Sequence, residues 1–273
     1  MRAFALLALA ATAGGFTAPV AQPRGLAARR AGPGPSCGPV PLAPPALAAL
    51  AVGDAVTVVR PSNGREVVAT RLSLRPAAFL LQGLQTAEEC AELKARAAAE
   101  GMVPAETNGE TDARRRCAIG CLRPDSQIVE ALTRDVARLM LSDRARGPGG
   151  GSEDLHVLRY EPGGEFTLHY DTFPETPRAL TVLHYLNGVG ATWFPLADRS
   201  PEPTSLEDMR STLAELTPPR DGLHVAGRAG DTLAFYNYGE DGERERLSLH
   251  AGLPAPSTRW VGSHFYRSGD SGG

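Results

Sequence analysis

The sequence predicts a mainly β domain with flanking helices (α+β), arranged as a sandwich or barrel. Three observations predict it. From residue 154 onward, apolar and polar residues alternate in short runs broken by Gly and Pro turns, the period of strands. Two earlier segments instead carry apolar residues at helical spacing. With 273 residues and 42% hydrophobic content, the chain can build one sizeable core plus a leader.

The elements follow in order. Residues 55–60 and 66–74 read as short strands around a Ser62-Asn63-Gly64 turn, and 77–84 as a further apolar strand. Thr86 and Glu89 form a capping box for a helix running through Cys90, Leu93 and Ala97 to about Glu100, where Gly101 stops it. A second helix starts near Asp125-Ser126 and carries Ile128, Val129, Leu132, Val136, Leu139 and Met140 on one stripe. Gly147 to Gly151 is a flexible break. Strands are then expected at 155–160, 166–171, 180–186, 191–194, 223–225, 232–236, 247–249 and 260–266. Residues 198–221 interrupt them, with Ser205 to Leu216 as one exposed helix, a candidate lid or substrate-facing segment.

Residues 1–50 read as a leader and Pro/Ala-rich linker, and residues 51–273 as the domain. No acid precedes Asp54. Arg2, an apolar run from Ala3 to Ala11 and the small residues 12–15 fit a secretory signal, so the expected destination is the secretory pathway or endoplasmic reticulum. The following Phe16-Thr17-Ala18-Pro19 and the acid-free stretch with Arg24, Arg29 and Arg30 fit a bipartite plastid leader as the alternative. The apolar run is short for a bilayer, so no stable membrane span is expected in the mature chain. A net charge of −3 offers no bulk attraction for nucleic acid. The cysteines at 37, 90, 117 and 121 permit three pairings if all are oxidised. Cys117 and Cys121 could close a small loop in the secretory pathway, with free thiols as the alternative, and Cys90 on its helix reads as a buried thiol. Zinc is disfavoured, because no second close Cys/His pair exists.

The chemistry concentrates in His169-Tyr170-Asp171 and in His250, far downstream. On a strand, residues i and i+2 share a face, so His169 and Asp171 both aim inward while Tyr170 faces away. Two imidazoles and one carboxylate are the donor set of a facial Fe(II) site that keeps positions open for O2 and a co-substrate. A lone His-x-Asp pair is weak, since a hydrogen-bonded couple without metal has the same pattern. His184, His224 and His264 lie in apolar strands without an acid two residues away. His156 has Asp154, but in reversed order. All four read as packing or surface residues.

Residues 158–166 (Leu-Arg-Tyr-Glu-Pro-Gly-Gly-Glu-Phe), His169-Tyr170-Asp171, 178–187, Gly190-Ala191-Thr192-Trp193-Phe194-Pro195, 230–235 and 248–254 with Arg259-Trp260 resemble, in order, the motifs of the prolyl 4-hydroxylase branch of the 2-oxoglutarate/Fe(II) oxygenases. The resemblance covers roughly residues 72–267. It implies a double-stranded β-helix (jelly roll), with Fe(II), 2-oxoglutarate and ascorbate as cofactors. It implies His169, Asp171 and His250 as iron ligands, which makes them the catalytic set. It implies Arg259, Tyr160 and Thr192 at the 2-oxoglutarate, and Trp260 as an aromatic beside the site. The implied reaction is hydroxylation of a proline in a peptide or protein to 4-hydroxyproline, releasing succinate and CO2. The same chemistry on a non-prolyl substrate, and a catalytically silent binding module on the same fold, stay open.

The chain departs from the pattern in four places, one being a shorter lead-in from Asn187 to Gly190. Arg259 stands where the family usually has Lys, and a guanidinium can grip a carboxylate bidentately. It lies nine residues after His250 where ten is usual. Ala191 replaces the Glu of Gly-Gly-Glu-Thr. These departures touch the co-substrate end rather than the metal end. Arg114-Arg115-Arg116 resembles the family's Arg-containing segment before the second helix, either facing substrate or forming a solvated basic turn.

Overall fold

The computed structural model describes residues 42–107, 110–111, 115–146 and 151–268. Residues 1–41, where a leader is expected, with Cys37, as well as Arg114 and Gly147–Gly150, lie outside them. The chain runs α1 (Pro45–Ala48), β1 (Ala55–Val59), β2 (Glu66–Ser73), β3 (Ala78–Gln82), α2 (Ala87–Glu100), β4 (Val103–Pro104), β5 (Glu106–Thr107), β6 (Glu110–Thr111), β7 (Ala118–Leu122) and α3 (Gln127–Met140). It continues through β8 (Gly151–Ser152), β9 (Leu155–Tyr160), β10 (Phe166–His169), β11 (Leu180–Tyr185), β12 (Thr192–Phe194), α4 (Leu206–Glu215), β13 (Leu223–Val225), β14 (Thr232–Tyr236), β15 (His250–Gly252) and β16 (Arg259–Arg267).

Two antiparallel sheets carry the site. The larger has the order β1-β2-β3-β14-β11-β16-β9-β7-β4, with β8 beside β16; the smaller is β10-β15-β12-β13. The inner face of the large sheet meets the small one through Tyr160, Leu183, Tyr185, Leu233, Phe235 and Val261 against Phe194 and Val225. Its outer face is covered by α2 and α3. This is the expected jelly roll with external helices. β11 and β14 are therefore buried along their whole length, which accounts for their unbroken burial where an exposed sheet would alternate.

Local chemistry explains the helices. Thr86 Oγ1 accepts from the Glu89 amide at 3.1 Å, and Glu89 Oε2 accepts from the Thr86 amide at 2.8 Å, completing the capping box. α3 buries Val129, Leu132, Val136 and Met140, each contributing about 1.5–3 kcal/mol relative to exposure. Gly120 of β7 packs directly on α2, where a Cβ would stand 2.9 Å from the Ala97 carbonyl oxygen. The Arg60 guanidinium is buried between the helices, donating to Asp135 Oδ2 at 2.7 Å, both Glu89 oxygens and the Leu84 carbonyl.

Four expectations need correction. Residues 247–249 are no strand: Arg246–Ser248 form a 3₁₀ turn, capped by the Glu245 carboxylate accepting from the Leu247 amide at 2.9 Å, and the strand starts at His250. β7 was not expected, yet it pairs with β9 along its full length. Leu42 and Leu47, assigned to the leader, pack in the main core. Cys117 and Cys121 are not joined by a disulfide. Extended chain separates residues four apart by about 13 Å, beyond the span a disulfide bridges. Among the described residues no helix is long and apolar enough to cross a membrane.

Candidate active site

β10 ends on His169 and β15 begins on His250, and the antiparallel register sets them directly opposite each other. Opposed residues project to one face, and the ring centroids lie 4.2 Å apart. Asp171, just past the end of β10, places Oδ1 3.4 Å from His169 Nε2 and Oδ2 3.4 Å from His250 Nε2. One donor atom from each residue lies within 4.8 Å of the others, a group that can hold a metal ion.

Each ring is aimed by its own strand. His169 Nδ1 lies 2.7 Å from the Thr167 carbonyl oxygen, and His250 Nδ1 lies 3.0 Å from that of Ser248. A carbonyl only accepts, so each Nδ1 carries the hydrogen and each Nε2 presents a lone pair to the centre. Thr181 donates to Asp171 Oδ2 at 2.9 Å, and Asn237 Nδ2 donates to Thr181 Oγ1 at 2.8 Å, so the hydroxyl hydrogen is committed to the carboxylate. Burial opposes ionisation of Asp171, but the His250 and His169 rings and the Thr181 hydroxyl hold its pKa well below the usual carboxylate range. Burial, aided by the His169 ring, pushes His250 down to about 4. At neutral pH a bare nitrogen and an anionic oxygen therefore face each other, and a cation binds there without displacing their protons. The donor set fits Fe(II).

Apolar rings enclose these donors. Phe166 stacks on His169 with centroids 3.5 Å apart, and Phe194 and Phe235 flank His250. A cavity of about 280 Å³ leads away from them, and Tyr160, Thr192 and Arg259 line it. Arg259 is 3% exposed. It donates through Nη1 to the Ala191 carbonyl at 3.0 Å and through Nη2 to Thr192 Oγ1 at 3.3 Å, while its buried Nε has no partner among the described residues. Gly190, at φ +80°, makes room for it, since a Cβ there would lie 2.6 Å from Arg259 Cδ. An unsatisfied buried guanidinium donor fits a carboxylate ligand. The three metal-ligand candidates and the three residues expected at 2-oxoglutarate thus surround one cavity.

Trp260 does not. It points to the opposite face of β16, where Arg159 lies over its ring at 5.8 Å. Alternation along the strand puts Arg259, Val261, Ser263 and Phe265 inward, and Phe265 is the aromatic residue of β16 that lines the cavity. His184 and His264 lie buried on the helix-facing side, and His224 is exposed, as expected of residues outside the site. His156 and Arg115, by contrast, line the cavity. Arg178 was not picked out either. It donates to the Asp171 carbonyl at 3.1 Å, pairs with Glu153 at 2.8 and 2.6 Å, and covers Phe265 at 3.7 Å. Thr181 and Arg178 both lie in the motif at 178–187, a signal that was available. A larger cavity, about 530 Å³, lies between the β2–β3 side and residues 238–245. It contains no imidazole, and its Arg75–Glu245 pair is internally satisfied.

No family model matches the chain. Among curated proteins, "Probable prolyl 4-hydroxylase 3" of Arabidopsis thaliana is 30% identical over 212 residues, covering 70% of this chain and 70% of its own. "Probable prolyl 4-hydroxylase 6" of the same plant is 31% identical over 216 residues, covering 70% and 71%. Among solved structures, the viral collagen prolyl hydroxylase of Paramecium bursaria Chlorella virus-1, as its 2-oxoglutarate complex, matches with a TM-score of 0.50 at 20% identity, over 70% of this chain and 94% of its own. The Trichoplax adhaerens prolyl hydroxylase, in complex with a hypoxia inducible factor peptide fragment, matches with a TM-score of 0.51 at 15% identity, over 71% and 84%. Both share the fold.

Proposed function

Because the chain belongs to the prolyl 4-hydroxylase family, we propose that it hydroxylates proline in a peptide or protein, as an Fe(II)/2-oxoglutarate-dependent dioxygenase. The observation that carries this reading is the meeting of His169, Asp171 and His250 at one cavity with Arg259.

His169, Asp171 and His250 hold the metal, with Thr181 and the Thr167 and Ser248 carbonyls fixing their orientation. Iron held there would supply the oxidation, the overall reaction placing one oxygen atom of O2 in the substrate C–H bond and the other in succinate with loss of CO2. Arg259, Tyr160 and Thr192 would hold the far carboxylate of 2-oxoglutarate. Phe166, Phe194 and Phe235 exclude water around the imidazoles. At the mouth Phe173 is 52% exposed, and such an apolar edge suits a pyrrolidine ring.

The test is incubation with Fe(II), 2-oxoglutarate and proline-rich peptides. The expected result is succinate release matched by one added oxygen atom on proline. Succinate release without that mass gain would contradict the prolyl substrate, and no succinate under any condition would contradict the enzyme. Family membership also supports ascorbate as the external reductant, tested by its effect on sustained turnover. The apolar, acid-free leader supports passage into the secretory pathway. A fluorescent fusion of residues 1–50 that stays in the cytosol would contradict it.

A further inference from the structure

We propose that Arg115 is a second cationic contact for the far carboxylate of 2-oxoglutarate, acting with Arg259 as a two-guanidinium clamp around Tyr160. The proposal rests on the 2-oxoglutarate reading above and adds a binding residue to it.

The placement begins with the backbone. An isolated antiparallel bridge ties Arg115 to Phe166, and so draws the segment before β7 against the first residue of β10. The Arg115 guanidinium then lies over the Phe166 ring, 5.0 Å from its centroid, and lines the same cavity as Tyr160, Thr192 and Arg259. Arg259 also lies against Tyr160, its guanidinium carbon 5.6 Å from the ring centroid. Arg115 acts on the phenol oxygen itself: burial raises the Tyr160 pKa, and Arg115 is among the groups that offset this.

The donors are the second observation. Nε of Arg115 and Nε of Arg259 are both buried, and among the described residues neither has a hydrogen-bond partner. Buried N–H groups of a guanidinium call for an acceptor, and a carboxylate with two oxygens is the acceptor whose shape they match. The neighbouring arginines are already answered. Arg178 is held bidentately by Glu153, and Arg116 donates to Glu165 and to the Gly163 carbonyl. Tyr160 is 3% exposed, so an anion reached by both Arg115 and Arg259 lies inside the cavity and not on its rim. That location favours the co-substrate's carboxylate over an acidic side chain of a bound peptide.

The experiment is an anaerobic titration of the Fe(II)-loaded protein, reading the visible absorption of the 2-oxo acid chelate, with 2-oxoglutarate and with 2-oxobutyrate, which lacks the far carboxylate. Arg115→Gln is expected to raise the Kd for 2-oxoglutarate at least tenfold and Arg115→Lys to raise it less, while 2-oxobutyrate binds wild type and both variants alike. Arg115→Lys keeps the charge and serves if Arg115→Gln has a lowered Tm. Unchanged 2-oxoglutarate affinity in both variants overturns the proposal, most clearly if the peptide KM rises instead. Equal weakening of 2-oxobutyrate also overturns it, because Arg115 would then act on the metal end. A wild-type protein that forms no chelate with either acid refutes the oxygenase reading itself.

Discussion

His169 and His250 are cross-strand partners: the last residue of β10 faces the first residue of β15, with ring centroids 4.2 Å apart. The metal centre is therefore a property of strand register. A slip of one residue in that pair would turn one imidazole to the other face, and the three-donor set would be lost while the fold remained.

Thr181 is a positioning residue for that centre. Its hydroxyl donates to Asp171 Oδ2 and accepts from Asn237. Thr181→Val keeps the volume and removes both bonds. Fe(II) affinity or turnover is expected to fall about 10–100-fold, with circular dichroism unchanged. Wild-type Fe(II) affinity in an anaerobic titration would contradict the assignment.

Arg259→Lys restores the family's usual residue at this point but not its spacing from His250. The ammonium cannot reproduce the paired contacts to the Ala191 carbonyl and Thr192 Oγ1. The KM for 2-oxoglutarate is expected to rise about tenfold, roughly 1.4 kcal/mol, with a smaller change in kcat. Steady-state kinetics at saturating peptide checks this, and an equal or lower KM would show that the shortened turn suits either cation.

His264 makes the metal-free protein acid-sensitive. Burial in the helix-facing layer holds its imidazole at about 4, against an ordinary 6.5. The unfolded chain takes up the proton first, so this contribution to stability is complete above about pH 6.5 and is lost as pH falls toward 4. Between pH 7.5 and 5 the loss is about 2 kcal/mol from this residue. Urea unfolding at the two pH values measures it, and His264→Gln should show a correspondingly smaller difference. An unaltered difference in that variant would place the proton uptake elsewhere.

Arg60 ties the first hairpin to both helices through Asp135, Glu89 and the Leu84 carbonyl. Arg60→Ala leaves the Asp135 carboxylate, fully buried, without its cation. A destabilisation of about 3–5 kcal/mol is expected, with the iron site intact in the folded fraction. Denaturant unfolding checks it; a loss below about 1 kcal/mol would mean the hydrogen bonds from Ser62 suffice for Asp135.

Much of this was legible in the residues. The bounds of β13 and β14 agree with the period-2 runs, and the Thr86 capping box is present in full, because these signals are local. The 3₁₀ turn at Arg246–Ser248 was not legible, since Leu247 and Leu249 suit a strand equally well and the deciding bond comes from the Glu245 side chain. β7 was missed because its order depends on pairing with distant β9. Burial of Arg60 ran against the rule that charges stay outside, and depends on two carboxylates contributed by other elements. In the site, motif and strand alternation located the donors and Arg259. Trp260 lies on the opposite face from Arg259, as strand alternation requires and the resemblance does not.

The central claim is that three side chains from two strands and a strand end bind one iron. Anaerobic Fe(II) titration of wild type and His250→Ala, followed by 2-oxoglutarate, tests it most directly. One Fe(II) per chain and a visible chelate band in wild type, with both lost in a folded His250→Ala, is the predicted result. Equal Fe(II) binding by the variant, with the same band, would contradict it.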